Sequence, residues 1–119
     1  MSTINIKKSN TDSTVVIFDS FFNKEIKINA AEYDQVNAYF KSVFTDVQIA
    51  NDFTAVLFEI AEGYGQDVNE TLESFKGQSG IELTATLAYY LNGLRSKATL
   101  LGVTAVQTPN VYAARNILV

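Results

Sequence analysis

Two pairs of carboxylates stand one helical turn apart in this sequence, Glu59 with Glu62 and Glu70 with Glu73. Such pairs can divide acid and base roles between them, and they are the chemistry closest to hand, because the chain has no histidine and no cysteine. The usual general base, the thiolate nucleophile, the Ser-His-Asp arrangement and the nitrogen or sulfur zinc site are excluded together. At about 100° per residue, Glu59 and Glu62 fall opposite Phe53, Leu57 and Ile60, which reads as a solvated helix face. Glu70 and Glu73 read the same way. An enzyme would need a carboxylate base such as Glu59, or a lysine of depressed pKa, and the sequence gives neither a reason to be buried. The expectation is a protein without catalytic residues; a deep polar pocket holding two carboxylates would reopen the question.

Other motifs lead to punctuation rather than chemistry. The run DVNETLE from Asp67 to Glu73 starts like a calcium loop, but it lacks the turn glycine at position six and the glutamate at position twelve. Helix capping accounts for Asp67 and Glu70. Gly63 and Gly65 flank a tyrosine after one helix and before another, whereas phosphate-binding glycine loops lie between a strand and a helix. No metal and no cofactor is expected. The basic residues are dispersed, the net charge is −4 and the pI is near 4.6, which argues against a sequence-independent grip on nucleic acid.

The elements that must hold these residues fall into two regions of one domain spanning residues 1–119, a β-meander in 1–28 and a mainly helical part in 29–119. The hydrophobic fraction of 47% and the low charged fraction of 18% argue against disorder. Thr3 to Lys8 and Lys24 to Ile28 alternate, and Thr14 to Phe18 is a β-branched run; SNTDS and DSFFN supply the turns. At Asn29 the period changes. Asn29 with Glu32 forms a capping box, and Tyr33, Val36, Tyr39, Phe40, Val43, Phe44 and Val47 follow as one apolar stripe. A second helix from about Thr45 to Tyr64 carries Ile49, Phe53, Val56, Leu57, Ile60 and Tyr64. Asp67 and Ser79 cap a third and a fourth, the latter with Leu83, Leu87, Tyr90, Leu91 and Leu94 on its face. After Ser96 an extended segment is expected, then a short helix opened by Pro109. The fold class is therefore α+β: a small N-terminal antiparallel β-meander followed by a compact bundle of four to five helices.

The remaining positive signals concern packing. Tyr89 projects away from the stripe of the fourth helix, and Arg115 is a cation in the otherwise apolar tail TPNVYAARNILV, where it either meets a carboxylate across an interface or snorkels to solvent. With fourteen aromatics and few charges, a surface made of Tyr89, Val111, Tyr112, Arg115, Ile117, Leu118 and Val119 is the candidate interface. The N-terminus lacks a signal-peptide core, and no window approaches the roughly 18 apolar residues of a membrane span.

The segments EYDQVNAYF, FTAVLFEIA, ELTATLAYYLNGLRSKATLLGV and TPNVYAARNIL together resemble small virion-associated proteins of T4-like tailed bacteriophages, especially marine ones that infect cyanobacteria. The likeness covers residues 30 to 118. It implies a non-enzymatic building block of capsid, neck or tail, made in the host cytoplasm and located in the virion. Its partners would be itself, as a homo-oligomer, or other virion proteins, with no nucleic acid, membrane or small-molecule substrate. The competing reading is a small acidic phage-encoded module that binds a host protein.

Overall fold

Alternation in Thr14–Asp19 (β2) turns Val15, Ile17 and Asp19 to one side, and all three are buried. The computed structural model describes residues 4–9 and 11–100, without the side chains of 98–100. Ile4–Lys8 (β1) and Lys24–Asn29 (β3) pair with β2 on either side, both antiparallel, in the order β1-β2-β3. The register aligns Ile6, Ile17 and Ile26 in one row across the sheet, and Ile4, Asp19 and Lys24 in another. One face of this meander thus offers an isoleucine row to the core and, at its end, a carboxylate flanked by a lysine.

The helices are Ala30–Val43 (α1), Val47–Tyr64 (α2), Val68–Phe75 (α3) and Gly80–Leu100 (α4). Asn29, Asp46 and Asp67 each cap a helix, their side chains accepting from backbone N–H groups of the first turn. Ser79 and Glu82 close a reciprocal capping box at α4, with Ser79 N donating to Glu82 Oε1 at 2.8 Å and Glu82 N to Ser79 Oγ at 3.2 Å. The α+β class, with a meander before the helices, is as expected. Two boundaries differ. α2 starts at Val47 rather than near Thr45, because the Asp46 carboxylate binds Gln48 N and Ile49 N. α4 runs on to Leu100 where an extended segment was expected after Ser96; Lys97 to Leu100 contains good helix formers, and the next glycine is Gly102. The short helix expected after Pro109 lies outside the described residues.

α2 is the centre of the fold. It packs against α1, α3, α4 and the sheet, and Asp52 to Ala61 are buried without interruption. Phe40, Phe44 and Phe53 stack in a row, with centroids 6.4 Å and 5.2 Å apart. The ends of the two expected stripes fall outside this core: Val47 and Tyr64 are exposed.

Candidate functional site

Asp19 ends β2 on the inward side, and the turn that follows aims its carboxylate. Phe21 N donates to Asp19 Oδ1 at 2.8 Å, while the Asp19 carbonyl accepts from Phe22 N and Asn23 N. Asn23 lies at φ 53°, a left-handed conformation that asparagine tolerates better than most residues. From α4, Arg95 Nη2 donates to Asp19 Oδ2 at 3.1 Å, and the guanidinium sits 5.2 Å from the centre of the Phe21 ring. From α2, Glu59 reaches the same carboxylate and hydrogen-bonds to it. Relative exposures of 2% for Asp19, 5% for Glu59 and 4% for Arg95 place this three-element junction inside the protein.

Two adjacent carboxyl groups can share a hydrogen bond only if one keeps its proton. Burial, then the hydrogen bond and charge of Asp19, push Glu59 well above the usual carboxylate range, against the opposing charge of Arg95. Burial also pulls Asp19 upward, but the Glu59 hydrogen bond, the Arg95 charge and the Phe21 N–H outweigh it and hold Asp19 below its ordinary value. The opposed shifts favour the proton on Glu59 over Asp19, whose carboxylate pairs with Arg95. Glu59 Oε1 is buried and accepts no hydrogen bond from an N–H or hydroxyl among the described residues.

This acid pair lines a cleft of about 80 Å³ whose other walls are Ile17, Phe22, Ile26, Gly63 and Leu94, with Lys24 and Glu62 as its charged residues. Lys24 Nζ lies 3.5 Å from Glu62 Oε1, linking β3 to α2. The volume is well below the roughly 300–1,000 Å³ of ordinary ligand pockets, so peptides, sugars and nucleotides do not fit. Among the described residues no three acidic side chains converge as a metal cage. The arrangement can hold a proton on Glu59 beside an Asp19 carboxylate whose charge Arg95 balances.

Glu59 was expected on a solvated face, and the structure corrects this. The helix is covered on the side opposite Phe53 and Leu57 by the sheet and by α4, so no face of its middle turns meets water. Glu62, one turn later, is exposed as expected, and so are Glu70 and Glu73; the latter pairs with Lys76 at 2.7 Å. Sequence reasoning missed Asp19 and Arg95. A usable signal was present for Asp19: the alternation Val15, Ile17, Asp19 puts a carboxylate on the core face.

Of the expected interface residues, Tyr89 is described. It is 72% exposed and its ring packs edge-on against Tyr90 with centroids 5.4 Å apart. Tyr90 in turn meets Tyr64 at 5.9 Å and Phe75 at 5.6 Å. Val111, Tyr112, Arg115, Ile117, Leu118 and Val119 lie outside the described residues. No helix among the described residues is long and apolar enough to cross a membrane. No protein-family model, no curated protein and no solved structure matches this chain.

Proposed function

We propose that the chain is a non-enzymatic interaction protein, a small component of a tailed-bacteriophage particle that self-associates or docks on a virion partner. The observation that carries this reading is the exposed apolar ridge of α4. Ile81, Ala85 and Tyr89 follow one another at four-residue spacing, all exposed, with Ile81 at 82% and Tyr89 at 72%. Tyr89 continues sideways into Tyr90 and the half-exposed Tyr64. An exposed isoleucine and alanine leading into a group of tyrosines have the composition of a contact surface, since tyrosine combines large buried area with few rotatable bonds. The resemblance to virion-associated phage proteins supplies the setting.

The acid pair does not favour an enzyme. Its cleft is too small for the substrates that paired carboxylates usually serve, and Glu59 Oε1 is closed off from bulk solvent. Light scattering across a concentration series, on the wild type and on Ile81→Ser/Tyr89→Ser, tests the proposal. A defined multimer that the double substitution dissociates, with the circular dichroism of the fold unchanged, is the expected result. A wild type that stays monomeric and recovers no virion protein from a phage lysate would overturn it.

A further inference from the structure

We propose that the exposed face of α4 seats the same face of a second copy of this chain, the two helices running antiparallel about a two-fold axis at Tyr89. This names the occupant of the α4 ridge and rests on the self-association half of the proposed function. At about 100° per residue, Glu82, Tyr89 and Ser96 fall on one line along α4, and all three are exposed. Their seven-residue spacing suits two helices crossing at about 20°, with the large side chains of one entering gaps of the other. Such gaps flank Tyr89. Ala85 lies four residues before it and Gly93 four after, both exposed, one offering a methyl group and the other bare backbone. Gly93 is kept bare by its neighbour, because a Cβ there would come within 2.8 Å of the Tyr64 hydroxyl. The Tyr89 ring, 72% exposed, thus finds on a second copy a surface low enough to lie on.

The charges on the face select both the partner and its direction. Glu82 stands toward one end of this face and Lys97 toward the other, both exposed. Parallel copies would set like charges side by side. Antiparallel copies set each Glu82 beside the partner's Lys97, twice across the two-fold, and also oppose the helix dipoles. Glu82 keeps its role in the capping box, which uses Oε1 and leaves the second carboxylate oxygen for the ion pair. A face that complements itself in shape and charge is what an isologous contact requires.

The test is zero-length carbodiimide coupling of the full-length wild type, which joins a lysine to a carboxylate in contact, with the linked peptides read by mass spectrometry. Glu82 and Lys97 of one helix lie about 22 Å apart along its axis, so a link between them forms only between copies. That link is expected in the covalent dimer. Because the chain has no cysteine, single introduced thiols supply a second arm. Tyr89→Cys should give a disulfide-linked dimer on oxidation, whereas Ile81→Cys should not, its two copies lying about 24 Å apart in the antiparallel pair. Lys97→Glu should weaken association roughly tenfold, since the change enters twice per dimer, and Glu82→Lys/Lys97→Glu should restore most of it. A self-associating protein that gives neither the Lys97–Glu82 link nor the Tyr89→Cys dimer would overturn this arrangement and leave self-association standing. Dimers of Ile81→Cys would mean parallel helices and overturn it as well. Coupling of α4 only to another virion protein would overturn the second copy as occupant, and a strict monomer would overturn both the helix pair and the self-association beneath it.

Discussion

Arg95 Nη2 meets Asp19 Oδ2 at 3.1 Å although 76 residues separate them in the chain, and the contact ties α4 to the middle strand of the sheet. Both partners are almost fully buried. Removing one member of such a pair strands a charge in low dielectric, which costs about 3–5 kcal/mol, whereas removing both costs much less. Arg95→Leu is therefore expected to lower the unfolding free energy by about 3 kcal/mol or more, a large part of the 5–15 kcal/mol typical of domains. The double substitution Arg95→Leu/Asp19→Asn should recover part of that loss. Urea unfolding of both single variants and the double variant checks it; additive losses would mean that the pair does not act as a unit.

Glu59 makes stability fall as pH rises. Its folded pKa is raised above the ordinary 4.5, mainly by burial, so above pH 4.5 the unfolded chain releases this proton while the folded protein retains it. Stability contributed by the protonated form is complete below 4.5 and is lost as pH climbs through the folded pKa, by up to about 1.4 kcal/mol per pH unit. Asp52, also raised mainly by burial, acts in the same sense. Asp19 acts oppositely: its folded pKa lies below 3.8, so its contribution disappears in stronger acid. The acid pair is thus at its best between 3.8 and 4.5. Thermal unfolding should show a higher melting temperature near that window than at neutral pH, and Glu59→Gln should flatten the decline.

Much of the helical framework could be read from local signals, because caps act over three or four residues. Asn29, Asp67 with Glu70, and Ser79 with Glu82 each mark a helix start that the structure retains. The candidate site could not be read that way. Asp19, Glu59 and Arg95 come from a strand end and two helices, and periodicity reports only which side of a helix is apolar. It is silent on whether a distant element covers the other side. The stretch Phe53 to Ala61 contained a further clue: a helix apolar all round is buried all round, so a lone glutamate within it has nowhere to be solvated.

Asn37 was equally hidden, as a polar residue beside an apolar stripe. Its Nδ2 donates to Thr54 Oγ1 at 2.9 Å and to Asn51 Oδ1 at 3.1 Å, joining α1 to α2 inside the core. Thr54 Oγ1 spends its own proton on the Ala50 carbonyl at 2.8 Å, so it faces Asn37 only as an acceptor. Asn37→Asp has nearly the same shape but would set a carboxylate against these oxygens. A loss of about 2–4 kcal/mol is expected at neutral pH, from two lost hydrogen bonds and a buried charge. The loss should shrink in acid, where the aspartic acid regains a donor. Urea titrations at both pH values decide it; a pH-independent loss would point to packing instead.

Gly63 lets α4 approach α2. A Cβ at this position would lie 2.5 Å and 2.7 Å from the two terminal methyls of Leu94 and 3.2 Å from its Cγ. Rotating the isopropyl group cannot clear all three atoms, so Leu94 would have to swing as a whole, and both residues line the cleft beside Glu59. Gly63→Ala should consequently destabilise by about 1–3 kcal/mol, as overpacking does, despite alanine's better helix propensity. Leu94→Ala alone should cost about 2–4 kcal/mol through the space it empties. In Gly63→Ala/Leu94→Ala the new methyl enters that space, so the combined loss should be smaller than the sum. A double-mutant cycle by urea unfolding measures this coupling, and strict additivity would show that the closeness of Gly63 and Leu94 does not constrain how α4 seats on α2.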